Sequence, residues 1–287
     1  MLILLDGKAL SEKIKEEVKV EVAQLVEEKQ ITPGLAVILV GNDAASATYV
    51  ASKAKSCKNA GIYSVVHEMP ESITQEELLE TIARMNENPK LDGILVQLPL
   101  PKHIDTTVVL EAIDPLKDVD GFHPYNVGRM VSNLDAFLPA TPFGVMRMFQ
   151  EYGIELSGKN VVVIGSSDIV GKPMASLLIN AKATVTVCNS RTKDLASHTK
   201  AADIVVIAVG VPYLLKADMV KDGAIVIDVG INRLDTGKLV GDADFESLKE
   251  KCSHLTPVPG GVGPMTIAML LKNTIKAAKL REKRETK

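Results

Sequence analysis

Four polar side chains stand where chemistry, rather than solubility, would explain them. Tyr49 and Lys53 are spaced i, i+4, so one face of a helix carries both. A lysine moves protons only when burial or a neighbour brings its pKa toward neutrality. Otherwise Tyr-x-x-x-Lys is an amphipathic helix with its lysine in water. Gln97 interrupts the apolar run Gly93-Ile94-Leu95-Val96-Gln97-Leu98-Pro99. A buried amide must be hydrogen-bonded, either by local backbone or by a partner side chain. This one stands near the carboxyl end of a buried strand, where open α/β sheets place their sites. Asp120, in Lys117-Asp118-Val119-Asp120-Gly121, lies in a loop-rich joint of the kind that forms clefts. Asp118-x-Asp120 has no further ligands beside it, so no metal is expected.

A second chemistry is written in the later half. Asn160-Val161-Val162-Val163-Ile164-Gly165-Ser166-Ser167 reads as a strand entering a tight turn, and Gly171-Lys172-Pro173-Met174 opens a helix. Such a turn presents backbone N–H groups and a helix N-terminus to a pyrophosphate. The dinucleotide pattern G-x-G-x-x-G asks for glycines at 165, 167 and 170. The chain has Gly165, Ser167 and Val170, with Gly171 one step late. The strand after this turn ends in Asn189, Ser190 and Arg191, where an NAD site carries an acid for the ribose 2′-OH. Two small polar groups and a guanidinium suit a 2′-phosphate, which favours NADP over NAD. Two later strands end in small residues, Ala208-Val209-Gly210 and Asp228-Val229-Gly230-Ile231-Asn232, against which a dinucleotide can lie.

The elements that must position these groups alternate. A helix is predicted over 8–30, with Ile14, Val18, Val22 and Leu25 on one face. Buried strands are predicted at 34–41 and 91–101, another strand near 63–69, and helices at 45–60 and 74–86. Thr74 and Glu77 form a capping box. Thr141 is read as the N-cap of a new helix with Pro142 at its first position. Further strands are predicted at 160–164, 183–188, 204–209 and 224–229, and the last 20 residues as one helix. The fold class is α/β: two three-layer domains with a cleft between them, the second Rossmann-like. The expected division is 1–139, completed by the helix 266–287, and 140–265.

Composition narrows the partners. The chain has 287 residues, with 33 Lys+Arg against 36 Asp+Glu, a net charge of −3. Aromatics are 3% and tryptophan is absent, so neither a polyanion-binding stripe nor a base-stacking surface is indicated. No nucleic acid is expected. No apolar run reaches the length of a membrane span, so no membrane is expected either, and a cytoplasmic protein follows. Cys57, Cys188 and Cys252 are scattered, as are the five histidines, giving neither disulfide framework nor zinc site.

Taken in order, these pieces closely resemble one family, the bifunctional methylenetetrahydrofolate dehydrogenase/methenyltetrahydrofolate cyclohydrolases. The matching stretches include Tyr49-Val50-x-x-Lys53, Asp92 through Pro101, Lys117 through Phe122, and Pro139-Ala140-Thr141-Pro142. Ile169-Val170-Gly171-x-Pro173-Met174, Ser190-Arg191-Thr192, Asp228 through Asn232 and Pro259 through Thr266 complete them. The resemblance runs from about residue 5 to 280. It implies an NADP-dependent enzyme acting on one-carbon derivatives of tetrahydrofolate, and a homodimer. It implies that Lys53 assists proton movement as water attacks the methenyl carbon, and that Gln97 hydrogen-bonds Lys53. Tyr49 would pack on the folate and Asp120 would bond the pterin. Val96, Gln97, Leu98 and Pro259, Gly260 and Gly261 would line the folate pocket. Gly165, Ser166, Ser167, Ser190, Arg191 and Ile231 would line the cofactor site. Many members have Arg at the position of Ser166 and His at that of Asn189, so the 2′-phosphate contacts depart from the pattern here. Ala44 replaces a common proline in a loop.

Three other readings compete. A short-chain dehydrogenase also uses Tyr-x-x-x-Lys, but after its dinucleotide turn, whereas here the pair comes before it. A monofunctional dehydrogenase would not need Lys53. A non-catalytic nucleotide sensor would not need Lys53, Gln97 and Asp120 together.

Overall fold

The computed structural model describes residues 2–285. The chain forms two compact units. One comprises Lys13–Arg129, Asp135–Leu138 and the chain from Ile267 onward; the other comprises the chain up to Glu12, Met130–Leu134 and Pro139–Thr266. Among the described residues no helix is long and apolar enough to cross a membrane.

The first unit is built on a parallel three-stranded sheet in the order Tyr63–Met69, Gly34–Val40, Gly93–Val96. Every residue of Gly34–Val40 is buried, as a central strand covered on both faces requires. Ala36, Ile38, Ile94 and Val96 pack on one side against Leu78, Ile82 and Met85 of the helix Gln75–Glu87. That helix opens with the capping box: Glu77 N donates to Thr74 Oγ1 and Thr74 N donates to Glu77 Oε2. Ile14, Val18, Val22 and Leu25 are buried along one stripe of the helix Gly7–Lys29. The C-terminal helix Val262–Glu285 contributes Asn273, whose amide donates to the carbonyls of Val119 and Leu138. Arg281 of the same helix pairs with the buried Asp92.

The strand predicted over 91–101 is ordered as strand only over Gly93–Val96. Gln97 N makes the next inter-strand bond, to Ile38 O, and the Leu98–Pro99 peptide is then cis.

The second unit carries a six-stranded parallel sheet. Its order is Ile3–Leu4, His254–Leu255, Ile225–Asp228, Ile204–Ile207, Asn160–Ile164, Thr184–Cys188. Strands predicted at 204–209 and 224–229 are thus shorter by one or two residues at their ends. Counting from Asn160, the order is second, first, third, fourth, fifth. Doubly wound sheets of this order bind ligand where the direction of winding reverses. That point lies between Asn160–Ile164 and Ile204–Ile207, at their carboxyl ends. The core beneath is aliphatic, with Val162, Ile164, Val205, Ile207, Val226 and Leu255 at its centre.

Two expectations change. Where the sequence reading assigns residues 1–139 to one domain, the structure groups the chain up to Glu12 with the later half. Ile3–Leu4 pairs in parallel with His254–Leu255 and extends the larger sheet. Thr141 is not an N-cap. The helix spans Ala140–Glu151, Pro139 takes the capping position without a side-chain bond, and Thr141 Oγ1 bonds Thr266 Oγ1 instead. Pro142 then falls within the first turn, where a missing N–H costs no helical bond.

Candidate active site

Tyr49, Lys53 and Cys57 follow one another at i, i+4, i+8 on the helix Ala44–Ala60. Asp43 caps that helix by accepting from Ser46 N at 2.7 Å. Gly61 ends it in the left-handed region, at φ 77°, where glycine avoids Cβ strain. The cap positions are therefore local in origin, and they fix which face Lys53 occupies.

Lys53 is buried at 7% exposure, so the reading of an exposed lysine does not apply. Its Nζ donates to Gln97 Oε1 at 3.0 Å, and Gln97 Nε2 donates to Leu98 O at 2.8 Å. The amide is thereby oriented, with its oxygen held toward the lysine. Burial lowers the Lys53 pKa from its usual range, and the charges of Asp120 and Cys57 oppose that shift. Asp120 shows the reciprocal pattern. Burial pushes its carboxyl up to about 6, Lys53 pulls it down and Asp118 pushes it further up. Tyr49 is 38% exposed, and partial burial raises its phenol. A buried amine beside an amide oxygen and a carboxylate with perturbed pKa has the character of a proton-handling site.

Asp118 escaped the sequence reading, which weighed it only as a metal ligand. It is buried at 1% exposure and accepts from Gly121 N, Phe122 N, His123 N and Asn126 Nδ2. This cradle fixes the turn that carries Asp120. The segment approaches the sheet closely because Gly93 has no side chain: a Cβ there would lie 2.6 Å from Val119 Cγ1. The signal available in the sequence was Asp-x-Asp-Gly after a buried strand, a pattern that also fits a structural turn.

The dinucleotide turn is built mostly from backbone. Gly165 has φ 120°, and a Cβ there would lie 2.4 Å from Ala208 O. Gly165 N donates to Cys188 O, and Ala208 N to Ile164 O. Gly171, one step later than the pattern asks, closes the turn: its Cβ would meet Gly165 O at 2.2 Å. The glycine needed for close helix–strand approach is thus present under a shifted spacing. Ser167 Oγ accepts from Val170 N and Gly171 N at the start of the helix Gly171–Asn180. Ser166 is half-buried, while Ser190 and Arg191 are exposed. Asn189 Oδ1 accepts from Arg191 N, and Thr192 Oγ1 from Asn189 N, which sets the turn presenting them. Ile231 is 47% exposed in the loop that follows the strand Ile225–Asp228. Pro259 follows a cis peptide, and Gly260 takes φ 105°. Gly261 sits where a Cβ would meet Pro257 O at 2.5 Å.

The structure therefore brings Tyr49, Lys53, Val96, Gln97, Leu98 and Asp120 into one unit. Gly165, Ser166, Ser167, Ser190, Arg191, Ile231, Pro259, Gly260 and Gly261 belong to the other.

Comparison with known proteins gives a consistent outcome. Residues 5–120 match the family model described as tetrahydrofolate dehydrogenase/cyclohydrolase, catalytic domain. Residues 139–282 match the corresponding NAD(P)-binding domain. A relative from Aliarcobacter butzleri, named bifunctional protein FolD, is 90% identical over 286 residues, covering 100% of both chains. The crystal structure of the bifunctional FolD enzyme of Campylobacter jejuni is 57% identical with a TM-score of 0.96, covering 98% of this chain and 100% of that one. The Trypanosoma brucei enzyme, solved with NADP and an inhibitor, is 41% identical with a TM-score of 0.94, covering 97% and 98%.

Proposed function

From the premise that this chain belongs to the tetrahydrofolate dehydrogenase/cyclohydrolase family, we propose how its own residues share the two reactions. The chain is a bifunctional enzyme. It oxidises 5,10-methylenetetrahydrofolate to the 5,10-methenyl cation with NADP, then hydrolyses that cation to 10-formyltetrahydrofolate. The observation that carries the assignment of roles is the Lys53–Gln97 bond at 3.0 Å within a buried site that also holds Asp120.

The methenyl cation is already electrophilic. Its hydrolysis needs a placed water and a group to take the water's proton. Burial favours neutral Lys53, and a neutral amine can take that proton and pass it on as ammonium. Gln97 Oε1 accepts one N–H and so directs the amine's remaining valences. The Asp120 carboxylate bonds the pterin ring and steadies the ammonium form of Lys53. Tyr49, half out in solvent, supplies an aromatic face for the folate. Val96 and Leu98 line the pocket beside Gln97.

Bound NADP would supply the hydride acceptor for the methylene carbon. The residues of the dinucleotide turn fit it. Gly165 leaves room where a Cβ would close on Ala208, and Ser190 and Arg191 stand exposed for a 2′-phosphate. Ser166, Ser167 and Ile231 complete the lining. No protein metal enters this scheme. The folate part is taken as Lys13–Arg129 with the chain from Ile267 onward, and the dinucleotide part as Pro139–Thr266 joined by the chain up to Glu12. The family resemblance further suggests a cytoplasmic homodimer, which light scattering on the purified protein would read as twice the chain mass.

The test is a spectrophotometric assay with methylenetetrahydrofolate, run separately with NADP and NAD. Reduction of NADP followed by decay of the methenyl absorbance, with that decay lost in Lys53→Met, supports the assignment. Unaltered decay in Lys53→Met would remove Lys53 from the hydrolytic step.

A further inference from the structure

Two buried acids in the dinucleotide unit are absent from the roles given above. Asp242 is 0% exposed and Asp228 3%. Asp228 ends the strand Ile225–Asp228, and Asp242 follows the short strand Leu239–Val240. Every one of their carboxylate oxygens accepts a hydrogen bond. Asp242 Oδ2 accepts from Val209 N at 2.7 Å and Gly210 N at 2.9 Å, while its Oδ1 accepts from Asn232 Nδ2 at 2.8 Å. Asp228 Oδ1 accepts from Gly230 N and Asp242 N, and its Oδ2 from Ala243 N. The two acids are thus linked through Asp242 N and tie down three separate loops.

Glycines admit this arrangement. A Cβ on Gly230 would lie 2.2 Å from the Asp242 carboxyl carbon, and one on Gly241 would lie 1.8 Å from Asp228 Oδ2. Each acid therefore occupies the space that a side chain on the other's loop would fill. Burying two carboxylates this close is costly unless every lone pair is used. The core of this unit is otherwise aliphatic, and a pair of apolar residues would fill the same space more cheaply. What the acids add is direction: they fix where backbone amides point.

Of the loops they fix, 208–210 leaves Ile204–Ile207 at the winding reversal and 229–232 leaves the adjoining strand Ile225–Asp228. Ala208 N bonds Ile164 O, and Ala208 O is the atom a Cβ on Gly165 would strike. Val209 and Gly210, held by Asp242, come next in the chain. Ile231 lies between Gly230, held by Asp228, and Asn232, held by Asp242. We infer that Asp242 and Asp228 are positioning residues for the cofactor: they hold the 208–210 and 229–232 loops in the shape that receives the dinucleotide.

This inference rests on the NADP reading above and deepens it. It touches neither reacting atoms nor the Lys53 site. The conservative variant Asp242→Asn keeps the volume and one acceptor but loses one of the two oxygen sites. Asn232→Ala removes the side chain that Asp242 Oδ1 holds and leaves both acids in place.

The experiment measures NADPH affinity by fluorescence titration, and KM for NADP and for methylenetetrahydrofolate, on the intact wild-type, Asp242→Asn and Asn232→Ala proteins. The expected result is about a tenfold rise in Kd and KM for the nucleotide in Asp242→Asn, and a smaller rise in Asn232→Ala. KM for the folate should stay within about twofold, a split that general loosening of the fold would not give. Nucleotide affinity unchanged in the folded variants, while wild-type reduces NADP, overturns the inference alone. A parallel rise in both KM values also overturns it. Should Asp242→Asn not fold, the Asn232→Ala titration decides in the same terms. Wild-type that neither binds nor reduces NADP overturns the cofactor reading and this inference together.

Discussion

At Lys53 the polar contacts run from side chain to side chain; at Gly165 they run through the backbone. Lys53 reaches Gln97, which is oriented by Leu98 O, and faces a carboxylate raised to about 6. Gly165, Gly171 and Ala208 meet through carbonyls and amides, and the missing Cβ atoms are what allow it. The first site depends on what a residue is, and the second on what it lacks. A functional group can be deleted from the first while its shape survives. Adding a single methyl to the second should damage shape and binding together.

The sharpest way to break this contrast is Lys53→Met. The account expects methenyl hydrolysis to fall by about 10²- to 10⁴-fold, the usual worth of a proton-transfer group, with NADPH affinity unchanged. Loss of both in parallel would merge the two sites.

Gly165→Ala comes next. The added Cβ lies 2.4 Å from Ala208 O at a φ that side chains rarely adopt. The turn must shift, so NADPH affinity should drop by an estimated ~10-fold or more, and thermal unfolding should report about 1–3 kcal/mol of lost stability. An unaltered titration would show that the turn does not carry the nucleotide.

Arg191→Ala sharpens the comparison, because it is the one charged side chain assigned to the backbone-built site. Preference for NADP over NAD should fall by about tenfold, read as the ratio of kcat/KM values. Ser166 and Asn189 carry no charge, so Arg191 is left with most of that discrimination.

The smallest effect concerns pH. The Asp120 carboxyl rises from 3.8 to about 6 on folding. The folded state then holds the proton more tightly, so this group's stabilising contribution is present below 3.8 and is lost as pH rises through about 6. Asp120→Asn should flatten that fall in stability, measured by denaturant midpoints across the same window. An identical slope in both proteins would contradict the assigned burial effect.

The same contrast explains what was legible in the sequence. Apolar period identified the stripe Ile14, Val18, Val22 and Leu25 and the buried strand Gly34–Val40, because burial is a repeating property. The capping box at Thr74 was readable because its bonds span three residues. Strand order was not: the placement of Asn160–Ile164 between Thr184–Cys188 and Ile204–Ile207 depends on packing across the whole unit. The pairing of Ile3–Leu4 with His254–Leu255 joins segments about 250 residues apart, and two apolar residues carry no periodic signal. Thr141 misled because a good capping residue can be recruited elsewhere, here by Thr266. Within the site, residue types drew attention to Lys53, Gln97 and Asp120. The supporting acids, Asp118, Asp228 and Asp242, were not recognised, since a carboxylate that binds backbone amides looks the same in sequence as one facing water.

The central claim is that the two reactions draw on separate sets of residues. The most direct test supplies methenyltetrahydrofolate itself, without nucleotide, to Gly165→Ala and Lys53→Met proteins. The account predicts hydrolysis within about threefold of wild-type in Gly165→Ala and a loss of about 10²-fold or more in Lys53→Met. Equal losses in both, or hydrolysis retained in Lys53→Met, would contradict it.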